Sequence, residues 1–365
     1  MIDLDSGAFT EMPTGVTVLI CTYNGAATIA ETLACLARQQ VSAGLDWEVI
    51  LVDNASTDGT AERAQEQWDD LGAPVPLRVL REPRPGKQHA VEVGVRAVRY
   101  RYACIVDDDN RLESDYLASG YALLSTHPQI GLLGGQNTGT FEDAPPAWFT
   151  DFRHCYAVGP QIDYVGGQFK SLADGSIGRN VLWGAGMFVR TEVWQRLRAA
   201  GFESLFTGRQ GEQNLTAGED DELCFAALLM GYEVWYAAGL RLRHHMAAGR
   251  LTEAYRDRLY YASARSTARL NAYRNALWGN PAGTAAINLL KDTGFIVRSF
   301  ARNMMTPALA SRNGQGIERM MRRHGLMVLR DAVLRFGQVK AQYEQVLRLR
   351  ERLRALSAPP IRRPA

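Results

Sequence analysis

No CxxC pair occurs in the 365 residues of the chain. Its five cysteines, Cys21, Cys35, Cys104, Cys155 and Cys224, are odd in number and scattered. They indicate neither a zinc site nor a disulfide framework, and a reducing compartment is the simpler expectation. No run of about 18 uninterrupted apolar residues is present, so no transmembrane helix is expected. The richest late window, 285–300, is broken by Lys291, Asp292 and Arg298. The opening MIDLDSGAFTEMP is acidic and poor in apolar side chains, unlike a signal peptide. A cytoplasmic location is therefore expected. No internal repeat is visible. No GxGxxG follows the first apolar run, which counts against a dinucleotide dehydrogenase.

What is present is an ordinary globular composition, 46% hydrophobic and 22% charged with 34 glycines and 14 prolines. It excludes a disordered, collagen-like or disulfide-stapled chain. The net charge of +2 conceals an asymmetry. Residues 281–365 hold 16 Lys/Arg against 5 Asp/Glu, and the remainder 25 against 34. An acidic body with a basic tail suggests two roles. The tail either meets an anionic partner (lipid, acceptor or nucleic acid) or is simply a solvated helical face.

The first half alternates apolar runs with amphipathic stretches. Strands are expected at 16–20, 47–52, 77–80 and 103–106, and helices at 27–39, 60–68 and 88–98. Continuous apolar strands between helices imply a mainly parallel sheet covered on both faces. The stretch 132–190 reads as less regular. Helices are expected at 191–199, from Gly218 to about Gly231, and through the region after His245, with a strand at 232–237.

Parallel sheets bind ligands beyond the carboxyl ends of their strands. The residues found there are polar: Cys21-Thr22-Tyr23-Asn24, then Asp53-Asn-Ala-Ser-Thr-Asp-Gly-Thr60, then Arg81-Glu-Pro-Arg84-Pro-Gly86-Lys87, then Asp107-Asp108-Asp109-Asn110. This is the outline of a nucleotide site. Three adjacent carboxylates repel and raise one another's pKa unless a cation neutralises them. Oxygen ligands favour Mg²⁺ or Mn²⁺. The alternative is a solvated acidic loop that caps a helix. Glu219-Asp220-Asp221 is either a helix N-terminal acidic cluster or a general base held there. Asp53 forms an Asx-turn or accepts from a nucleobase. Arg84 and Lys87 are surface charges or nucleotide contacts. His244 is a structural histidine or completes a metal shell.

In their order these motifs resemble the family-2 glycosyltransferases of the GT-A fold. The matching residues are Val18-Leu-Ile-Cys-Thr-Tyr-Asn24, Val52-Asp-Asn-Ala-Ser-Thr-Asp-Gly-Thr60, Gly86-Lys87, Val106-Asp-Asp-Asp109, Gly184-Ala185-Gly186-Met187 and Gly218-Glu-Asp-Asp221. The resemblance covers about 16–249 and not the tail. It implies an α/β fold with a mainly parallel, Rossmann-like sheet, helices on both faces and a helical C-terminal extension. It also implies an inverting, non-processive enzyme that moves a sugar from a nucleoside diphosphate sugar to a hydroxyl. Thr22, Tyr23, Asn24, Asp53, Arg84, Lys87, Asp107, Asp108 and Gly184–Met187 would hold the donor. Asp109, Asp107 and His244 would hold Mn²⁺ or Mg²⁺. Asp220 would be the base, with Asp221 and Glu219 as its alternates. UDP is the commonest donor nucleotide in the family. The QxxRW motif of processive synthases is absent. Two rivals are a sugar-nucleotide nucleotidyltransferase, which would place a basic Gly-rich loop after the first strand, and a non-catalytic nucleotide-binding module.

The expected organisation is a catalytic region at 1–250, with a nucleotide half at about 16–110 and an acceptor half at 111–250. A basic helical region, 251–356, and a disordered tail, 357–365, follow. Expected partners are the nucleotide sugar and a glycan, lipid-linked or other hydroxyl acceptor. The apolar positions 328, 329, 332, 333, 336 and 339, and then 346, 347, 349 and 353, are interleaved with arginines. They suggest a membrane-surface helix on the inner face of an anionic bilayer, or self-association or packing on the catalytic region. No nucleic-acid partner is expected.

Overall fold

The structure, a computed structural model, describes residues 11–165, 168–206, 217–279 and 334–356, with single positions 287, 294, 326 and 330. The expectation of a disordered 357–365 and most of the expected tail helix, 281–333, lie outside these residues.

The central sheet runs β3-β2-β1-β4-β10-β6-β11-β5, with β9 beside β11. Its parallel half is β1 (Val16–Thr22), β2 (Trp47–Asp53), β3 (Leu77–Arg81) and β4 (Tyr102–Asp107). β10 (Phe188–Arg190) lies antiparallel between β4 and β6 (Ile130–Phe141). β6 pairs parallel with β11 (Glu233–Met246). The short β5 (Asn110–Leu112) and β9 (Gly175–Ser176) run antiparallel to β11. A two-stranded hairpin, β7 (Ile162–Val165) with β8 (Gln168–Ser171), stands apart.

Alternation along the strands explains why the runs read as uniformly apolar. Val16, Val18 and Ile20 of β1 point into one cluster, with Val49 and Leu51 of β2 and Cys104 and Val106 of β4. Leu19, Ile50, Val52, Ala103 and Ile105 point into the other. The first cluster is covered by α1 (Ile29–Ala37), α2 (Thr60–Asp70) and α4 (Tyr116–Thr126). The second is covered by α3 (Lys87–Ala97), α6 (Thr191–Ala199), α7 (Glu219–Leu229) and α8 (Glu253–Trp278). A sheet buried on both faces needs apolar residues at every position. A third, aromatic cluster joins α5 (Phe149–Phe152), Tyr156, Met246 and Tyr255.

Two readings of the sequence are corrected here. The stretch expected to be irregular contains a 12-residue strand, β6. The last strand, expected at 232–237, continues to Met246 across a register shift between Tyr236 and Arg241.

The C-terminal helix, Phe336–Ala355, lays its apolar stripe on the body. Val339, Tyr343, Val346, Leu349 and Leu353 are buried in the same cluster as Leu270, Tyr273 and Ala276 of α8. Its arginines meet carbonyls at the ends of other helices. Arg350 Nη1 donates to Ala276 O at 2.8 Å, and Arg352 Nη1 to Ala200 O at 3.2 Å. Cations are favoured at helix C-termini, where carbonyls lack intrahelical partners. This stripe packs on the body, as one of the alternatives held. Among the described residues no helix is long and apolar enough to cross a membrane.

Leu349 is 5% exposed. Leu349→Ala should lower unfolding stability by about 2–5 kcal/mol in urea titration, the usual cost of a buried leucine truncation. An unchanged midpoint would mean that the helix does not pack as described.

Candidate active site

All four parallel strands end at one rim, and a cleft of about 1850 Å³ opens there. Thr22, Tyr23, Asn24, Lys87, Asp107, Asp108, Asp109, Gly184, Ala185, Glu219, Asp220, Asp221 and His244 all line it. Residues singled out after β1, β3 and β4 and in three later segments are thus brought together.

The Asp107–Asn110 turn is built by its own side chains. Asn110, fully buried, accepts from Asp107 N at 3.1 Å and donates to Asp109 Oδ1 at 2.9 Å. Thr22 Oγ1 donates to Asp108 Oδ2, and Thr32 of α1 to Asp108 O at 2.8 Å. Gly25 leaves room for this contact, since a Cβ there would lie 2.3 Å from both Thr22 Oγ1 and Asp108 Oδ2.

The carboxylates do not share one fate. Asp107 Oδ1 accepts from Lys87 Nζ at 2.6 Å. Burial disfavours the Lys87 ammonium, but Asp107 and Asp220 outweigh it and raise its pKa. Asp108 is pushed up to about 7 by burial and by Asp109 beside it, against the Thr22 hydroxyl. Asp109 is also buried, yet His244, Arg250 and Lys87 hold it well below the usual carboxylate range. Asp109 is thus the exception stated for the triplet, a carboxylate neutralised by a cation, since the Arg250 guanidinium reaches it and His244 lies beside it.

β5 follows the acidic turn directly and pairs antiparallel with β11, which sets His244 opposite Asn110. His244 Nε2 is 3.4 Å from Asp109 Oδ1. Arg250, in the 3₁₀ turn Ala248–Leu251, donates from Nη1 to Asp109 Oδ2 at 2.7 Å. Sequence reading missed Arg250, whose partner is 141 residues away. Asp107, expected in the same metal set, faces Lys87 instead. Among the described residues no three His, Cys, Asp or Glu converge as a metal cage.

Asp220 sits in the first turn of α7, after Gly218 at φ 109°. Its Oδ2 accepts from Gly184 N at 2.8 Å. A Cβ on Gly184 would come within 2.6 Å of all three atoms of that carboxyl group. Burial raises the Asp220 pKa while Lys87 opposes the rise. Asp221 is pushed up to about 7 by burial and by Asp220, against Arg274 of α8. Glu222, another residue not singled out from sequence, accepts from Leu205 N at 2.9 Å, from Tyr273 OH at 3.0 Å and from Ser204 Oγ. It ties α7 to α8 and to the 204–206 segment.

Four of the predicted site residues do not line the cleft. Asp53 is buried opposite Thr22, its Oδ1 accepting from Ser56 N at 3.1 Å in the Asx-turn. Arg84 closes on Glu82 through Nε at 2.9 Å and Nη2 at 2.8 Å. Gly186 O accepts from Tyr116 OH at 2.7 Å, and Met187 is fully buried in the core. Asn24 lines the rim but also links two loops, accepting from Thr57 N at 2.9 Å.

The chain belongs to the family-2 glycosyltransferases. The family model described as "Glycosyl transferase family group 2" matches residues 102–305, and "Glycosyl transferase family 2" matches residues 17–176. It is thus an enzyme of glycosyl transfer. The chain is 31% identical to chondroitin synthase of Escherichia coli over 122 residues. That match is 33% of this chain and only 17% of the relative's length. It is also similar to the mannosyltransferase PcManGT from Pyrobaculum calidifontis, solved with GDP-Man and Mn²⁺. The two are 17% identical, with 96% of this chain and 89% of that one covered and a TM-score of 0.48. S. aureus TarS 1-349, solved with UDP-GlcNAc, is 16% identical, with 89% and 92% covered and a TM-score of 0.47.

Burial pushes Glu222 from its ordinary 4.5 up to about 7, against its three donors. A carboxyl whose pKa is raised on folding contributes stability below its unfolded pKa and loses it as pH rises through the folded value. Wild-type stability should therefore fall more steeply than that of Glu222→Gln between about pH 4.5 and 7. Equal slopes in urea unfolding across that window would contradict the assignment.

Proposed function

We propose that the cleft binds a nucleoside diphosphate sugar at the strand ends and transfers its sugar to an acceptor hydroxyl by one inverting displacement. The observation that carries this reading is the placement of Asp220 within electrostatic reach of both Lys87 and Asp107. A base and the diphosphate-facing groups then share one space.

Tyr23, half exposed at the rim, offers a flat face to a nucleobase. Thr22 lines the same rim beside it, within reach of the ribose. Lys87 faces the diphosphate as a fixed cation. Asp220 takes the proton from the acceptor hydroxyl as its oxygen forms the new bond to the anomeric carbon. The bond from that carbon to the diphosphate oxygen breaks, and the diphosphate leaves with the electron pair. Lys87 offsets the charge that develops.

Asp220 is preferred to Asp221 because their surroundings differ. Asp220 lies in the field of Lys87 and Asp107, whereas the cation that acts on Asp221 is Arg274 of α8. Burial raises both carboxyl groups, so the choice between them rests on placement and not on basicity. Gly184 N–H orients its other oxygen.

The donor set also suits a hard divalent cation. Asp109 Oδ1 and His244 Nε2 are 3.4 Å apart, and Mg²⁺ or Mn²⁺ commonly takes one or two protein ligands and completes its shell with phosphate and water. Asp109 and His244 would hold it. When bound, it supplies charge neutralisation to the departing diphosphate. UDP is the first nucleotide to test. The acceptor is the hydroxyl of a glycan, a lipid-linked saccharide or another alcohol.

Asp220→Asn should lower kcat about 10²–10⁴-fold, the usual worth of a general base, while donor binding stays close to wild type. Asp221→Asn should keep most of the activity. An active Asp220→Asn beside an inactive Asp221→Asn would move the base to Asp221, and two active variants would remove the mechanism.

A further inference from the structure

Among the described residues Arg250 is the guanidinium that reaches the acidic turn, and both oxygens of Asp109 are already engaged. Oδ1 faces His244 and accepts from Asn110, and Oδ2 accepts from Arg250. The arginine is itself held from behind. Its Nε donates to Tyr255 OH at 3.2 Å, and its guanidinium lies 5.7 Å from the centroid of that ring. Tyr255 belongs to the first turns of α8 and is 3% exposed. Nη2 meets no acceptor among the described residues, and Arg250 lines the cleft. The guanidinium thus lines the cleft with Nε and Nη1 engaged and Nη2 left over.

A divalent cation arriving at Asp109 would compete with that guanidinium for one carboxylate. Two positive charges on one carboxylate repel, whereas a diphosphate offers oxygens to both. We propose that Arg250 closes the cation seat at Asp109 in the nucleotide-free enzyme and swings onto the diphosphate when the nucleotide binds, which frees Oδ2. Arg250 is then a positioning residue in the empty enzyme and a diphosphate ligand in the loaded one. Cation and nucleotide bind cooperatively, and by linkage each tightens the other by the same factor. This inference rests on the metal-dependent reading given above.

The test is a titration of the full chain with Mn²⁺, read by the electron paramagnetic resonance signal of free Mn²⁺, with and without saturating UDP or GDP. Arg250→Gln and Arg250→Met both remove the charge, and the second keeps a stem to pack on Tyr255. In either variant, once folding is checked by circular dichroism, nucleotide-free affinity for Mn²⁺ should tighten roughly tenfold, the order expected for loss of one nearby positive charge in a solvent-screened cleft. Metal-free affinity for the nucleotide should weaken by roughly the same factor. Arg250→Lys should return both toward wild type. A purely structural role for Arg250 would not strengthen metal binding. Folded variants that bind Mn²⁺ no tighter than wild type, while wild type binds it with nucleotide, would overturn the assignment of Arg250 alone. Wild type that binds no Mn²⁺ even with nucleotide would overturn this inference and the metal reading together.

Discussion

Four carboxyl groups, those of Asp107, Asp108, Asp109 and Asp220, are crowded at one rim of the sheet, and the surrounding packing offsets their mutual repulsion. Lys87 takes Asp107, His244 and Arg250 take Asp109, and the Thr22 hydroxyl takes Asp108. Each partner comes from a different element: α3, β11, the turn before α8, and β1. Folding the body and assembling the charge pattern are therefore one event. A buried carboxylate without such partners would either shift its pKa upward or destabilise the fold. Asp220 and Asp108 show the upward direction, and Asp109 the downward one.

The scaffold gives each partner a short lever. β5 starts within three residues of the acidic turn and pairs with β11, so His244 cannot reach a different carboxylate without a register change. α7 is held at its N-terminal end by Glu222 through three donors, which fixes Asp220 two residues earlier. α8 carries both Tyr273, which meets Glu222, and Tyr255, which meets Arg250. The C-terminal helix packs against α8 from outside. Its contribution to the site is therefore indirect, through the helix that backs two of the site's side chains.

Much of this was legible in the sequence, for identifiable reasons. Strands buried on both faces carry uninterrupted apolar runs, so β1, β2 and β4 stood out, and the polar residues after them marked the rim. β6 did not, because Gly134, Gly135 and Gly139 interrupt its pattern. The structure shows why one of them is there: a Cβ on Gly135 would lie 1.9 Å from Leu240 O. The second half of β11 was hidden behind Ala237-Ala-Gly239 and the register shift that follows Tyr236. Arg250 had no local signal, since it is one of 41 basic residues and its meaning comes from a carboxylate far away in the chain. The apolar stripe of the last helix was readable, but periodicity names the face and not its cover. Asp53 and Arg84 show the converse limit, because a residue at a strand end can spend its polar atoms on its own turn.

The central claim is that this charge-balanced rim is the seat of a nucleoside diphosphate. The most direct measurement is the melting temperature of the full chain with UDP, GDP or dTDP, each in Mn²⁺ and in EDTA. A ligand at free concentration L that binds only the native state stabilises it by RT ln(1 + L/Kd) and so raises the melting temperature as its concentration exceeds Kd. At least one of the three nucleotides should raise it, and by more in Mn²⁺ than in EDTA. No rise with any of them, at concentrations well above those that saturate nucleotide-sugar enzymes, would contradict the account.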